Sequence, residues 1–519
     1  MSIRRTTLTI ALVLYSALAC APAEAQDYDL VILNGRVMDP ETNLDAVRNV
    51  GIKDGKIAAV TESSIQGADT IDATGHVVAP GFIDPHTHGI ELSGFSTKIM
   101  LRDGVTTQME LEVGVYPVDK FYDQREGKWQ ANYGASMGHM PLRMFLLDGV
   151  EPEGNGFADK AVFPALARDG SKYESAVPTE EQLQQIIAEV EKGFQQGALG
   201  LGVPVGYELD GTSTAEINAI AEVAGKYNSF ITLHGRFSSQ APPVTGVTGT
   251  NELLAAAMLA GAGLYVHHYH AQGLDRTPQI TAVIEKARAD GQAVVGAVYP
   301  YTYGSTIAAA PYLVPSNYGP NMGHSYGDIV EVPAMKPLTK ERYDDLVAND
   351  PGHTVTFEHA TDQVLAAAVT HPGVLIESDG MPWVDTTGAT MPWDADPADA
   401  RGHPRGSGAH AKTLRMVREG KWDMSLMDAI AKMSYLHAKY FEEVGVGQMK
   451  YKGRVQEGMD ADITVFDPAT VRDNGTPAQG ALPATGIPYV IVNGTVVVQD
   501  SEVLKDVFPG QPIRRPVQQ

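Results

Sequence analysis

The feature that most constrains this fold is a rhythm in the middle of the chain. Over roughly 350 residues short apolar runs alternate with helical stretches, and a chain that keeps returning from helix to strand builds a parallel sheet. Thr179-Glu180-Glu181-Gln182 is a capping box that opens a helix through Ile186, Ile187 and Val190, and Gly197 can end it. Residues 198–203 follow as a strand. Residues 215–226 are helical again, with Ile217, Ile220 and Val223 on one face, and Phe230-Ile231-Thr232-Leu233 is the next strand. Helix over 252–260 and strand over 264–268 repeat the pattern. A parallel sheet of this length is best closed as a (β/α)8 barrel, which uses about 250 residues.

The two ends read differently. Leu30-Val31-Ile32-Leu33 before Asn34-Gly35, and Val50-Gly51-Ile52-Lys53 before Asp54-Gly55, predict two hairpins. The far end carries Asp462-Ile463-Thr464-Val465-Phe466, then Val490-Ile491-Val492, Asn493-Gly494 and Val496-Val497-Val498. Chain termini often lie close together, so both ends are expected to share one small β-sandwich. The expected fold class is therefore α/β, a (β/α)8 TIM-like barrel over 80–440. The small β-sandwich domain is built from 26–79 and 441–519, the second part including a C-terminal tail.

Residues 1–25 read as an export signal. Arg4 and Arg5 form a basic head, 8–19 is apolar, and Ala23-Glu24-Ala25 is a small-x-small cleavage site, so a periplasmic or secreted protein is expected. The only cysteine, Cys20, lies inside this segment; a lipoprotein anchored through it is the alternative, weakened by Ala17. Thiolate ligands and disulfides are then absent from the mature chain. No apolar run reaches the roughly 18 residues of a membrane span. Lys plus Arg number 39 against 63 Asp plus Glu, a net charge of −24 with no basic cluster, which speaks against nucleic acid as a partner. A small molecule is the expected partner, and the sequence leaves room for a homo-oligomer.

Barrels of this kind keep their chemistry at the C-terminal ends of the strands. Pro80-Gly81-Phe82-Ile83-Asp84-Pro85-His86-Thr87-His88 is such an end, and residues two apart on a strand point to one side, so His86 and His88 can grip one metal ion. His234 follows the strand 230–233, and His267-His268-Tyr269-His270 follows Gly263-Leu264-Tyr265-Val266. Leu375-Ile376-Glu377-Ser378-Asp379-Gly380 adds a carboxylate. A lone histidine is usually structural; several at successive strand ends, joined by Asp379, point to a metal centre. His139, His353, His359, His371 and His410 match no ligand position and read as structural or surface groups.

With these residues in place, the chain resembles the amidohydrolase superfamily, on the branch of D-aminoacylases and N-acyl-D-amino-acid deacylases. The resemblance spans nearly all of the chain after the signal. The segment 80–88 is specific to the superfamily, and Gly453-Arg454-Val455 with Gly458-Met459-Asp460-Ala461-Asp462 resembles its returning C-terminal portion. The branch is carried by Gly200-Leu201-Gly202, Tyr299-Pro300-Tyr301, Ser378-Asp379-Gly380 and Gly402-His403-Pro404-Arg405-Gly406 in that order. The resemblance implies one metal position on His86 and His88 and another on His234 and His268; two zinc ions per chain are expected because a glutamate replaces the cysteine of that branch. His268 is preferred to His267 because the family's ligand follows a small residue and precedes x-Lys. His270 stands at that lysine's position, as a carbonyl contact, as a group supporting the site from behind, or as a hydrogen-bonded core histidine. Asp379 matches the group that handles the proton, Arg405 the arginine that receives the substrate carboxylate, and Tyr301 a substrate-facing tyrosine.

Two departures matter. The branch carries a strand ending in Asn-Cys-Gly whose cysteine binds metal; here the stretch is Gln108-Met109-Glu110-Leu111-Glu112-Val113-Gly114, with Val113 in the cysteine's place. Valine coordinates nothing, whereas a carboxylate can bridge two cations. Glu112, nearest the strand end, is the first choice and Glu110 the second. At Val203-Pro204-Val205-Gly206-Tyr207 the family's pocket-lining pattern is changed, although Tyr207 can still face substrate. Trp383, in Met381-Pro382-Trp383, is either a pocket wall or a core residue. The expected function is exported, zinc-dependent hydrolysis of N-acyl amino acids, N-acyl-D-amino acids foremost, or of dipeptide-like amides. The alternatives are a cyclic-amide hydrolase of the dihydroorotase or hydantoinase kind, a deaminase, and an inactive exported metal- or substrate-binding protein. The Arg405 motif and the export signal weigh against the first two, and the complete set of His86, His88, His234, His268 and Asp379 against the last.

Overall fold

In the computed structural model residues 28–167, 170–332 and 334–518 are described; the expected export signal, with its expected cleavage site after Ala25 and with Cys20, lies outside them. Eight strands pair in parallel and in sequence order: β1 Phe82–Asp84, β2 Val105–Val115, β3 Asn132–Gly138, β4 Leu201–Val203, β5 Phe230–Leu233, β6 Gly263–Val266, β7 Val294–Val298 and β8 Val374–Ile376. The ring closes beyond the ends of β1 and β8. There Thr87 bridges Gly380, the His88 N–H donates to the Gly380 carbonyl at 2.7 Å and the Asp379 N–H to that of His86 at 2.8 Å. Every residue of these strands is buried, as a sheet covered on both faces requires.

The outer helices begin where the local chemistry places them. Helix Glu180–Gln195 starts at the Thr179–Gln182 capping box, and Thr214–Lys226 is capped by the Ser213 hydroxyl. Helix Gly246–Ala260 starts six residues earlier than its apolar pattern indicates, because a Thr245–Thr248 capping box opens it first. Helix Tyr435–Glu443 plugs the underside, with Phe441 packed on Phe230 and stacked on Tyr265. Between β7 and β8 the chain forms a four-stranded antiparallel sheet from Tyr303–Ile307, Thr354–Glu358, Ile329–Glu331 and Lys336–Pro337, which walls one side of the barrel mouth.

The chain ends build a second, nine-stranded sheet, in which Ile463–Phe466 pairs antiparallel with Val77–Pro80. Asp54-Gly55 and Asn493-Gly494 form two-residue hairpin turns, both residues of each at positive φ, as the tight turn matching strand twist demands. Asn34-Gly35 does not turn. The chain continues as one strand, Tyr28–Asp39, with a bulge between Ile32 and Gly35. Before the bulge the strand pairs with Gly67–Asp72, after it with Val77 and Val78. A Cβ at Gly35 would stand 2.4 Å from Val78 Cγ2, so this glycine serves close packing at a sheet corner rather than chain reversal. The corner folds the sheet over a core containing Ile32, Val37, Val50, Ile52, Ile463, Val465 and Ile491.

The last residues leave that sheet and run along the barrel. The Ile513 N–H donates to the Tyr133 carbonyl on β3 at 2.7 Å, and the Arg515 guanidinium caps the carbonyls of Leu199, Tyr227, Asn228 and Val444. Among the described residues no helix is long and apolar enough to cross a membrane. Ile513 is fully buried whereas Val517 is half exposed. Ile513→Ala should therefore destabilise by about 2–5 kcal/mol and visibly lower the Tm, while Val517→Ala should leave it unchanged.

Candidate active site

The site begins with an irregularity in β2. Glu110 pairs with Ala135 and Val115 with Met137, so four residues on β2 face a single one on β3. The surplus forms a bulge that ends at Gly114, whose φ is +69°. Its Leu111 carbonyl accepts from the hydroxyls of Ser136 at 2.5 Å and Thr232 at 2.9 Å. Gly202 on β4 lets the bulge approach, since a Cβ there would sit 2.5 Å from the Glu112 carbonyl oxygen. The bulge aims the Glu112 side chain at the strand-end histidines, where a regular strand would not.

Glu112 stands between two pairs of imidazoles. Its Oε2 lies 3.3 Å from Nε2 of both His86 and His88, and its Oε1 lies 2.9 Å from His234 Nδ1 and 2.6 Å from His268 Nε2. The Nε2 atoms of His86 and His88 are 3.3 Å apart, with Asp379 Oδ1 at 3.5 and 3.6 Å. On their far sides His86 Nδ1 meets Glu377 Oε1 at 3.1 Å and His88 Nδ1 meets Glu110 Oε2 at 2.9 Å. An imidazole donating Nδ1–H to a carboxylate turns its Nε2 lone pair to the other side. His268 Nδ1 lies 3.3 Å from the Gln272 amide, whose oxygen has no partner; turned over, that amide accepts Nδ1–H and frees Nε2. The His234 ring fits because residue 206 is glycine, where a Cβ would stand 2.2 Å from its Cδ2. Four imidazoles, a carboxylate between them and Asp379 form a donor set that fits two divalent cations.

Asp379 sits at φ +54°, and its Oδ2 is 2.8 Å from Arg405 Nη1. Arg405 is buried over the face of Tyr299, with its Nε unpartnered and its Nη2 only 3.4 Å from the Ser305 carbonyl. These groups line a cleft whose walls include Phe157, Tyr207, Tyr312, Phe357 and Met381. Apart from its histidines, Arg405 is the one cationic side chain lining the cleft among the described residues.

No protein-family model matches the chain. It is 28% identical over 500 residues to an N-acyl-D-glutamate deacylase of Alcaligenes xylosoxydans xylosoxydans, spanning 90% of this chain and 93% of that one. A D-aminoacylase of the same organism is 26% identical over 522 residues, spanning 92% and 96%. Over nine-tenths of its length the chain is therefore similar to D-aminoacylases and N-acyl-D-amino-acid deacylases. Its fold superposes with a TM-score of 0.74 and 24% identity on the N-acyl-D-glutamate deacylase of Bordetella bronchiseptica, covering 94% of this chain and 100% of that one; that structure is a complex with zinc and a phosphonate inhibitor. The protein is a metal-dependent hydrolase of amide C–N bonds.

The structure distributes the expected site residues unevenly. His86, His88, Glu112, His234, His268 and Asp379 converge, and Arg405 and Tyr207 line the same cleft. Glu110 stands behind His88 and does not face the other imidazole pair. Tyr301 does not face the cleft. Its N–H folds back onto the Tyr299 carbonyl at 2.8 Å, so Tyr299 takes the cleft position while the Tyr301 hydroxyl donates to the Pro404 carbonyl and Lys412 covers its ring. His270 does not line the cleft: it packs edge-on against Tyr299, donates Nε2–H to the Tyr301 backbone carbonyl, and burial pushes its pKa down to about 3. A neutral imidazole there supplies none of a lysine's charge. Trp383 is core, packed with Phe95 and Ile99.

Several functional neighbours escaped the sequence reading. Glu377 holds His86, His267 and the backbone of His268, while Ser305, Tyr312 and Phe357 reach the cleft from the β7–β8 insertion. His139, read as structural, lies between Glu208 and Glu216; Glu216 also binds Arg143, so this buried cluster anchors the loop that carries Tyr207. A glutamate two residues before Asp379 and another two before Glu112 were the available signals.

Without a cation the cluster is charged. Burial opposes the charged form of His86, but Asp379, Glu112 and Glu377 outweigh it and hold the pKa well above normal. Burial likewise opposes protonation of His88, yet Glu110 carries it up to about 9. Glu112 is held well below the usual carboxylate range, burial being overcome by His86 and His268. At pH 7 the cation-free protein therefore holds protons on imidazoles that an incoming cation must expel. Zinc uptake at pH 7 should release about one to two protons, fewer as the pH rises towards 9, with affinity climbing over the same window. Titration calorimetry in buffers of different ionisation enthalpy checks this; a proton count that ignores pH would refute it.

Proposed function

We propose that this protein is an exported zinc enzyme with two ions per chain that hydrolyses the amide bond of N-acyl amino acids, N-acyl-D-amino acids foremost, or of dipeptide-like amides. The observation that carries this reading is Arg405: a buried guanidinium beside the donor cluster, with Nε unpartnered and Nη2 loosely held. Such a group receives a carboxylate through two parallel hydrogen bonds and so fixes which bond of the substrate faces the cluster. The relatives' activities support the same reading, and the composition of residues 1–25 supports export.

His86, His88 and Asp379 would hold one ion and His234 and His268 the other, with Glu112 between them. Zinc supplies a Lewis acid for the scissile carbonyl and lowers the pKa of water toward about 7. Asp379 stands between the histidine pair and Arg405, within reach of both the attacking water and the leaving group. It would take the proton of the water as the C–O bond forms and return it to nitrogen as the C–N bond breaks. One acid and one amine bearing a carboxylate leave, and the carboxylate is released from Arg405.

The cleft walls speak to the rest of the substrate. Phe157, Tyr207, Tyr312, Phe357 and Met381 are apolar or neutral, and apart from the histidines of the donor cluster no second cationic side chain accompanies Arg405 in the cleft lining among the described residues. An acidic side chain would find no partner, so an uncharged one is preferred.

Chelation should abolish hydrolysis, and zinc should restore it. In a screen of N-acetyl amino acids, D-leucine and D-phenylalanine derivatives should exceed the D-glutamate derivative at least roughly 10-fold in kcat/KM, the cost of one unpaired charge. Arg405→Ala should cut kcat/KM for these substrates about 10–100-fold, as expected for a charge-assisted pair worth about 1.5–3 kcal/mol, without reducing metal content. Arg405→Lys should recover only part of the loss, since an ammonium lacks the planar fork. A matched substrate lacking the carboxylate should be poor for the wild type and little altered by the mutation. Equal losses on both substrates would remove the main support for the assignment.

A further inference from the structure

Glu377 is fully buried beneath the cluster and touches none of the cleft. Its Oε1 accepts from His86 Nδ1–H at 3.1 Å and from the backbone N–H of His268 at 2.7 Å, while its Oε2 accepts from His267 Nδ1–H at 2.7 Å. His86 belongs to the end of β1, the two histidines to the end of β6, and Glu377 itself to the end of β8. The backbone of His268 is at φ +29° and ψ +40°, outside the regions a side-chain-bearing residue prefers. That conformation splays neighbouring side chains apart, sending His267 down to Glu377 and His268 Nε2 to within 2.6 Å of Glu112. The other supporting groups each serve one imidazole: Glu110 meets His88 and Gln272 meets His268.

From this we infer that Glu377 is a positioning residue shared by the two cation positions. One carboxylate fixes the tautomer and direction of His86, a ligand of the first position, and the backbone conformation of His268, a ligand of the second. An amide cannot replace it. A glutamine side chain at this position would either keep its oxygen on His86 and His268 without the negative charge that strengthens both contacts, or turn its NH2 group against those two N–H donors. If the His86 contact weakens, the ring is freer to carry its proton on Nε2, facing the cation; if the His268 contact weakens, the strained backbone loses the partner of its N–H. The inference rests on the two-cation reading given above.

The test is stepwise zinc binding by the full chain, measured by competition with a chromophoric chelator and by bound zinc after equilibrium dialysis. The wild type should take up two ions. In Glu377→Gln both constants should weaken, each by roughly 10–100-fold, the range for losing a group behind a liganding histidine. In Glu110→Gln one constant should weaken and the other hold. Glu377→Asp, which keeps the charge and both oxygens, should recover part of the loss at both positions; it is read in place of Glu377→Gln if that variant melts below the assay temperature without metal. A variant of Glu377 in which only one constant moves, or neither, overturns the coupling. A wild type that binds fewer than two ions overturns the two-cation reading and the coupling with it.

Discussion

Everything at the mouth of this barrel depends on one carboxylate being where a strand would not put it. Four imidazoles face one another across a few ångströms in a buried space, an arrangement that repels itself as soon as two of them are charged and has no hydrogen-bond pattern when all are neutral. Glu112 resolves this by giving each of its oxygens to one pair. It is delivered by a bulge, and the bulge in turn depends on Gly114, Gly202 and the hydroxyls of Ser136 and Thr232. A buried anion of this kind is tolerated only with compensating positive charge close by. The geometry therefore asks for cations as strongly as the identity of its side chains does.

The rest of the site is graded by distance from that centre. Next to it, Asp379 and Arg405 form an ion pair at 2.8 Å whose two members face different neighbours, the histidines on one side and the open cleft on the other. Farther out, a neutral aromatic wall comes partly from the loop after β4 and partly from the β7–β8 insertion. The barrel supplies the charge and the insertion supplies the shape. In barrels of this class variation in the loops changes what is bound while the strand ends keep the chemistry.

What the sequence disclosed follows the range of the forces involved. The strand-end histidines were legible because a period of two is local and the strands are short and apolar. The capping box at Thr179 was legible for the same reason. Asn34-Gly35 misled because a glycine demanded by contact with Val78, more than forty residues away, looks the same in sequence as one demanded by a turn. Tyr301 misled because a single tight turn exchanges it with Tyr299. The choice between Glu110 and Glu112 could be ranked from position along the strand, but the bulge that separates their surroundings is a property of three neighbouring strands. Glu377 carried no signal beyond its place beside Asp379, since its three partners come from two distant segments.

The second sheet has a consequence for how the molecule is made. Its strand Val77–Pro80 waits for Ile463–Phe466, which leaves the ribosome nearly four hundred residues later. Until then that edge is open, with unpaired backbone groups beside apolar side chains that invite pairing with another chain. The barrel faces a similar delay, because β3 is flanked in the finished fold by the tail around Ile513. Neither half can complete itself during synthesis. A chain cut short between residues 405 and 463 would carry the entire cluster of ligands and still expose a sticky sheet edge, so such truncated products should be aggregation-prone although their site residues are complete.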